Sequence, residues 1–289
     1  MIPEGFHIHH YKEVLSTNGK ALDLINRGIS NETVIIADKQ TEGRGRTGKS
    51  WVSPEGNFYA SLVINLFNDY LNESQLSVSF QCVTLESRNQ EAWIPVSSTG
   101  MTSDGTGITV GLTSQVKDIS KLTELTFVTA LVVGNTLLSF MDDSNIQYKW
   151  PNDVLVDSKK ISGILLEKRS NSNWLIVGIG INVNHAPLPG TTCISNYGES
   201  VSNIDLLEKL IINFNKLRKQ WLFDGFYAIR KMWLTRAFKM NEQISVKLAD
   251  KLYEGIFADI DESGKLVLQQ KDGSLIYFDA GELFINDIL

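Results

Sequence analysis

The stretch from Ile146 to Asn184 constrains the fold more than any other. Ile146–Trp150 and Val154–Val156 are short β-type runs around Pro151-Asn152, and a residue that precedes proline avoids the helical region. Ile161–Arg169 and Asn173–Asn184 follow as alternating or apolar runs, and the polar linker Ser170-Asn171-Ser172-Asn173 suits a hairpin. Neighbouring strands of this kind need an apolar layer laid across them. One candidate is a helix predicted from Thr17 to Arg27, with Ser16 or Thr17 able to cap its start and Gly28 placed to stop it. A second is the long, mostly apolar, proline-free run Lys121–Met141, read as a buried helix. Thr33–Ala37 and Phe58–Leu66 read as further strands. Two amphipathic helices are expected at Asn203–Lys219 and Gly225–Phe238, with the aromatic residues between Trp221 and Trp233 forming core.

The pattern changes at about Asn241. Ile244–Val246, Tyr253–Asp259, Lys265–Gln269 and Ser274–Phe278 are short strand candidates. Glu262-Ser263-Gly264 and the turn pair Asp272-Gly273 separate them, a spacing that fits a small β-barrel of about 50 residues. The chain therefore reads as an α+β domain with a β appendix. Asn68–Ser120 stands apart: it is rich in Ser, Thr and Gly and predicts an inserted excursion or loop.

At 289 residues the chain can bury a sizeable core. A net charge of −6 argues against a general nucleic-acid coat protein. The two cysteines, Cys82 and Cys193, have no metal-ligand spacing and suit a reducing compartment. No signal peptide and no run long enough to span a membrane is visible, so a soluble, cytoplasmic protein is expected.

Four segments can carry chemistry. In Gly43-Arg44-Gly45-Arg46-Thr47-Gly48-Lys49-Ser50-Trp51, glycines let the backbone approach a ligand, and two arginines and a lysine supply anion contacts. The spacing to Gly48-Lys49-Ser50 matches a P-loop, but Trp51-Val52-Ser53-Pro54 breaks the helix that such a loop must open. Taken alone, this stretch could equally be a solvated basic turn. Lys149-Trp150-Pro151-Asn152-Asp153 offers fixed oxygen ligands for a ribose, an amide or Mg²⁺, or simply an Asx turn. Lys159-Lys160-Ile161-Ser162-Gly163 puts lysines at the start of an apolar strand. Gly178-Ile179-Gly180-Ile181-Asn182 puts glycines where a ligand or another backbone can come close, without the spacing of a dinucleotide fold. His7, His9 and His10 have no accompanying carboxylate or cysteine at ligand spacing and read as structural or exposed.

Each segment alone is weak, but their order is not. Ser16-Thr17-Asn18, Gln40, the Gly43–Trp51 stretch, Lys149–Asp153, Lys160–Leu165 and Gly178–Asn184 together resemble the biotin protein ligases, over most of residues 10–67 and 120–285. The resemblance implies a mixed, largely antiparallel sheet flanked by helices in a catalytic domain at 1–238. It implies an SH3-like barrel at 239–289. It also implies two half-reactions: biotin and ATP give biotinoyl-5′-AMP and pyrophosphate, and a lysine of a biotin carboxyl carrier protein then takes the acyl group. By the same resemblance Arg46 and Lys160 are catalytic. Ser16, Thr17, Asn18, Gln40, Gly43, Arg44, Lys160 and Gly163 serve biotin. Arg46, Trp51, Lys149, Asn152, Asp153 and Asn182 serve ATP and its adenylate, with Asp153 toward Mg²⁺. The Gly-Arg loop is expected to order over the adenylate and shield it from water.

Two departures accompany the resemblance. No helix-turn-helix pattern precedes residue 10, which points to the enzyme-only form with no nucleic-acid partner, as a monomer or homodimer. The 68–120 segment is longer than the usual link by roughly 40 residues. Competing readings are a lipoate–protein ligase and a non-catalytic module that senses biotin.

Overall fold

The computed structural model describes residues 6–65, 119–141, 145–168, 172–198, 201–248, 251–279 and 282–284. The insert expected at 68–120 lies, up to residue 118, outside the described residues.

The larger sheet has seven strands: β1 (His7–Val14), β2 (Thr33–Gln40), β3 (Phe58–Asn65), β4 (Ile146–Lys149), β5 (Asp153–Val156), β6 (Lys159–Lys168) and β7 (Trp174–Ile181). Their order is β1-β2-β3-β7-β6-β5-β4. Only β1 and β2 run parallel; every other pair is antiparallel. The four strands read between Ile146 and Asn184 do form a meander, and β3 pairs along the full length of β7. A strand that sets His7 and His9 on one face is consistent with β1, but nothing in the sequence marks it as a member of this sheet. β1 is a parallel edge strand of low apolar content, with only partial burial along its length, so its periodicity carries no signal.

Helix α1 (Thr17–Asn26) begins at Ser16, whose hydroxyl accepts from the Gly19 amide. Capping of this kind contributes about 1 kcal/mol. The helix lies over β2, β3 and β7, where Ala21 packs into a cluster with Ile35, Val63 and Ile176. Helix α2 (Ile119–Leu137) is buried over most of its described surface. Its buried Thr129 and Thr136 donate their hydroxyls to the carbonyls of Leu125 and Val132, which removes the penalty of burying them. Gly134 of α2 lets Tyr148 of β4 come in, since a Cβ there would meet the phenol oxygen. Burial pushes the Tyr148 phenol up to about 12.

Helix α3 (Asn203–Leu234) is interrupted at Gly225, whose φ of 70° breaks the helix where two helices were expected. Trp233 meets Phe127 and Tyr148, and the buried Glu124 accepts from the Trp221 indole at 2.6 Å. Phe223 and Tyr227, expected in the core, are exposed beside the break at 59% and 70%. Phe223 stands two residues past the buried Trp221 and so faces the other way, and Tyr227 lies off the Phe226–Ile229–Trp233 face of the second half.

The C-terminal strands β8 (Gln243–Leu248), β9 (Lys251–Ile260), β10 (Leu266–Gln269), β11 (Leu275–Phe278) and β12 (Glu282–Phe284) form a separate antiparallel sheet in the order β11-β10-β9-β8-β12. Arg230 of α3 ties it down by bonding the Ile260 carbonyl and the Asp259 carboxylate. No described helix is long and apolar enough to cross a membrane.

Candidate functional site

The site is built on a stretch of sheet where side chains are missing by design of the sequence. Gly163 of β6 pairs with Gly180 of β7, and Gly178 lies two residues away on the same face. A Cβ at Gly180 would come within 2.6 Å of the Trp51 indole nitrogen. One at Gly163 would come within 2.9 Å of the same ring, and one at Gly178 within 2.3 Å of the Asn18 amide oxygen. The glycines noted in the sequence thus admit side chains of this chain, Trp51 and Asn18, where a ligand or backbone was expected.

Above this floor is a cavity of about 590 Å³. It is lined from α1 by Ser16, Thr17 and Asn18, from β2 by Gln40, and from the Gly-Arg stretch by Arg44, Arg46, Lys49 and Trp51. Lys149, Asn152 and Asp153 line it from the β4–β5 turn, and Lys160, Gly163 and Asn182 from β6 and the end of β7. Every site residue expected from the sequence lines it except Gly43. That glycine is buried, and a Cβ there would stand 2.3 Å from the Trp51 carbonyl and 2.5 Å from Ser53 Oγ. Gly43 shapes the loop: its carbonyl accepts from the Trp51 amide at 2.8 Å.

One part of the lining is neutral and hydrogen-bonded. Gln40 Oε1 accepts from the Thr17 amide at 2.8 Å and from its hydroxyl at 3.2 Å, while Gln40 Nε2 donates to Ser53 Oγ at 3.0 Å. Ser61, fully buried on β3, donates to Thr17 Oγ1 at 2.8 Å and lies 2.5 Å from Asn18 Oδ1. These side chains cannot swing freely, so the amides and hydroxyls they present are fixed in place.

Another part is cationic. Lys160 Nζ sits 2.6 Å from Asp153 Oδ1 and 5.2 Å over the Trp51 ring. Its main chain is held as well: the Lys160 amide donates to the Gly190 carbonyl at 3.0 Å, and its carbonyl accepts from Thr192 at 2.9 Å. Arg46 reaches Asn152 Oδ1 at 3.5 Å, and Asn152 Nδ2 donates to the Ile164 carbonyl at 2.7 Å. The Trp150-Pro151 peptide just before Asn152 is cis. Past Arg46–Gly48, a single 3₁₀ turn, the chain extends toward Trp51, so no helix follows and the P-loop match is without structure. Asn182 is 1% exposed; its Nδ2 donates to the Thr192 carbonyl at 2.9 Å, and its Oδ1 has no partner among the described residues.

Glu167 was not singled out in the sequence. Its Oε2 accepts from Arg44 at 2.8 Å and from Asn18 Nδ2 at 2.7 Å, tying the Gly-Arg stretch to α1. Its place on the Gly163–Leu165 face of β6 is the only sequence signal that could have found it. The histidines form no metal cluster: among the described residues no three His, Cys, Asp or Glu side chains gather, and His10 pairs with Asp38 at 2.6 Å.

Residues 13–99 and 105–184 match the Biotin/lipoate A/B protein ligase family, and residues 239–285 match the Biotin protein ligase C terminal domain. A biotin--[acetyl-CoA-carboxylase] ligase of Paracoccus denitrificans is 30% identical over 94% of this chain and 97% of its own. The bifunctional ligase/repressor BirA of Bacillus subtilis is 25% identical over 93% of this chain and 71% of its own. A solved biotin protein ligase from Aquifex aeolicus, in complex with biotin and ATP, shares the fold with a TM-score of 0.68 at 24% identity. That likeness covers 96% of this chain and 97% of the other.

Proposed function

The chain belongs to the biotin protein ligases of the biotin/lipoate A/B protein ligase family, and from that premise we propose the residue roles and the acceptor of its reaction. Biotin is activated with ATP and then passed to a lysine of a biotin carboxyl carrier protein. The observation that carries this reading is one cavity holding both a neutral amide–hydroxyl set and a cationic set.

The neutral set, Ser16, Thr17 and Gln40, suits a ureido group, which both donates and accepts hydrogen bonds. The cationic set answers the harder problem. A carboxylate must approach the α-phosphate of ATP, and two anions repel. Arg46 and Lys160 offset that repulsion and the charge that builds as the carboxylate oxygen bonds phosphorus and pyrophosphate leaves. Asp153 and the Trp51 face hold the Lys160 ammonium in a fixed place, so little reorganisation is needed at the moment of reaction. Asn182 Oδ1, buried and without a partner among the described residues, is an acceptor for a donor such as the adenine amino group. In the second half-reaction the lysine nitrogen bonds the acyl carbon, AMP departs with the bonding electrons, and the lysine proton goes to solvent.

The residues also fit Mg²⁺, which needs one or two protein carboxylates and takes its other ligands from phosphates and water. Asp153 is the carboxylate of the β4–β5 turn that lines the cavity, beside the Asn152 amide. The ion would supply charge neutralisation of the triphosphate.

The test is to incubate the protein with ATP, Mg²⁺, biotin and a biotin carboxyl carrier domain and to weigh the carrier, with lipoate in a parallel reaction. A biotin-sized gain that disappears in Arg46→Ala or Lys160→Ala is expected. A gain with lipoate alone would move the chain to the lipoate side of the family. Biotin binding with no transfer would make it a sensor.

A further inference from the structure

Asn57 is fully buried at the start of β3, directly beside the point where β7 ends. Oδ1 accepts from three successive amides, Val183 at 2.9 Å, Asn184 at 3.0 Å and His185 at 2.9 Å. Nδ2 donates to the His185 carbonyl at 2.9 Å. The Asn57 main-chain carbonyl is fixed in turn by Asn203 of α3 at 3.2 Å. One amide therefore satisfies four main-chain groups of the turn that follows Asn182. Val183 is buried while Asn184 and His185 are exposed, and this one side chain orders all three amides, with Ser195 meeting the Val183 and Asn184 carbonyls from the other side.

The turn matters for what it carries. Asn182 precedes it, and Pro187, Leu188 and Thr191, which line the cavity, follow it. Gly190 and Thr192 hold the Lys160 backbone just beyond. The hydrogen bonds of Ser16, Thr17 and Gln40 described above run to one another and to Gly19, Ser53 and Ser61, on the other side of the cavity's lining set. We infer that Asn57 is a positioning residue for the nucleotide half of the site, acting through the 183–185 turn and not on biotin. The inference rests on the reading of Asn182 as a nucleotide contact.

An aspartate is the closest partner, because it keeps a charged acceptor for all three amides, although it sets an oxygen against the His185 carbonyl in place of the donor. Asn57→Ala leaves the three amides without an acceptor. In biotin-dependent ATP–pyrophosphate exchange, Asn57→Ala is expected to raise the KM for ATP by about tenfold or more, with biotin affinity measured without nucleotide held within about twofold. Asn57→Asp is expected to recover most of the loss. Hydrogen exchange of the substrate-free protein is the independent readout: the 183–185 amides should exchange faster in Asn57→Ala and near the wild-type rate in Asn57→Asp.

Unchanged exchange at 183–185 in Asn57→Ala would overturn the inference, as would equal losses for biotin and ATP. An aspartate variant that is folded but no better than alanine would overturn it too. If Asn57→Ala does not fold, Asn57→Ser takes its place against Asn57→Asp with the same criteria. Absence of biotin-dependent exchange in the wild type would strike at the function proposed above, while the amide exchange would still judge the turn.

Discussion

The indole N–H of Trp150 donates to the carbonyl of Gly264 at 3.2 Å, so the turn that presents Asn152 and Asp153 is fastened to the C-terminal sheet. Gly264 can make this contact because its φ is +83° and because a Cβ there would stand 2.8 Å from Thr123 and 3.0 Å from Phe127 of α2. Three elements meet at one glycine.

Gly264→Ala should therefore act on the nucleotide side from a distance. Overpacking and a disfavoured φ together cost about 2 kcal/mol. A lower melting temperature and a raised KM for ATP are expected, with biotin affinity unchanged. A wild-type melt and wild-type kinetics would show that the sheet contact does not position the turn.

The strand glycines allow the two halves of the cavity to be separated. Gly178→Ala drives a methyl group against Asn18 and should weaken biotin binding; Gly180→Ala drives one against Trp51 and should weaken nucleotide binding. Each insertion carries a penalty of about 1–3 kcal/mol. Calorimetric titration of each variant with biotin and with ATP checks the pattern, and identical effects of the two would refute it.

Glu167→Gln keeps the shape of the bridge between Asn18 and Arg44 and removes its charge. The pair is partly open to solvent, so the effect should be modest, less than about 1 kcal/mol. Biotin affinity should fall by no more than about fivefold, and the deficit should shrink as salt is raised. A loss of a hundredfold would mean that Glu167 meets the substrate itself.

Asp153→Asn removes both the partner of Lys160 and the carboxylate assigned to Mg²⁺. The Mg²⁺ needed for half-maximal exchange activity should rise about tenfold, while biotin binding persists. Chelation of the metal should likewise stop adenylate formation and spare biotin binding. An unchanged Mg²⁺ requirement in the variant would remove Asp153 from that role.

Much of this was legible in the sequence because it is local. The β4–β7 strands and α2 follow from apolar runs bounded by turn residues, and Gly225 marks the break in α3. The cavity residues follow from the order of short motifs, and they converge because α1, β2 and the Gly-Arg stretch lie against the β4–β7 meander. What could not be read depends on partners far apart in the chain. Glu167 meets Arg44 across 123 positions, and Asn57 meets His185 across 128. A lone Asn after glycine looks like any turn residue. The exposure of Phe223 and Tyr227 is missed when the aromatic residues are taken together, because only Trp221, Phe226 and Trp233 fall on the inner faces of the two halves.

Lys160 is gripped by its main chain on both sides, by Gly190 and by Thr192. Its ammonium is thus the tip of a lever whose fulcrum is the 188–192 loop. A substitution in that loop which touches neither substrate shifts the aim of the charge and leaves the fit of the pocket alone. Such variants will lose turnover before they lose affinity, and a screen based on affinity alone will miss the early losses.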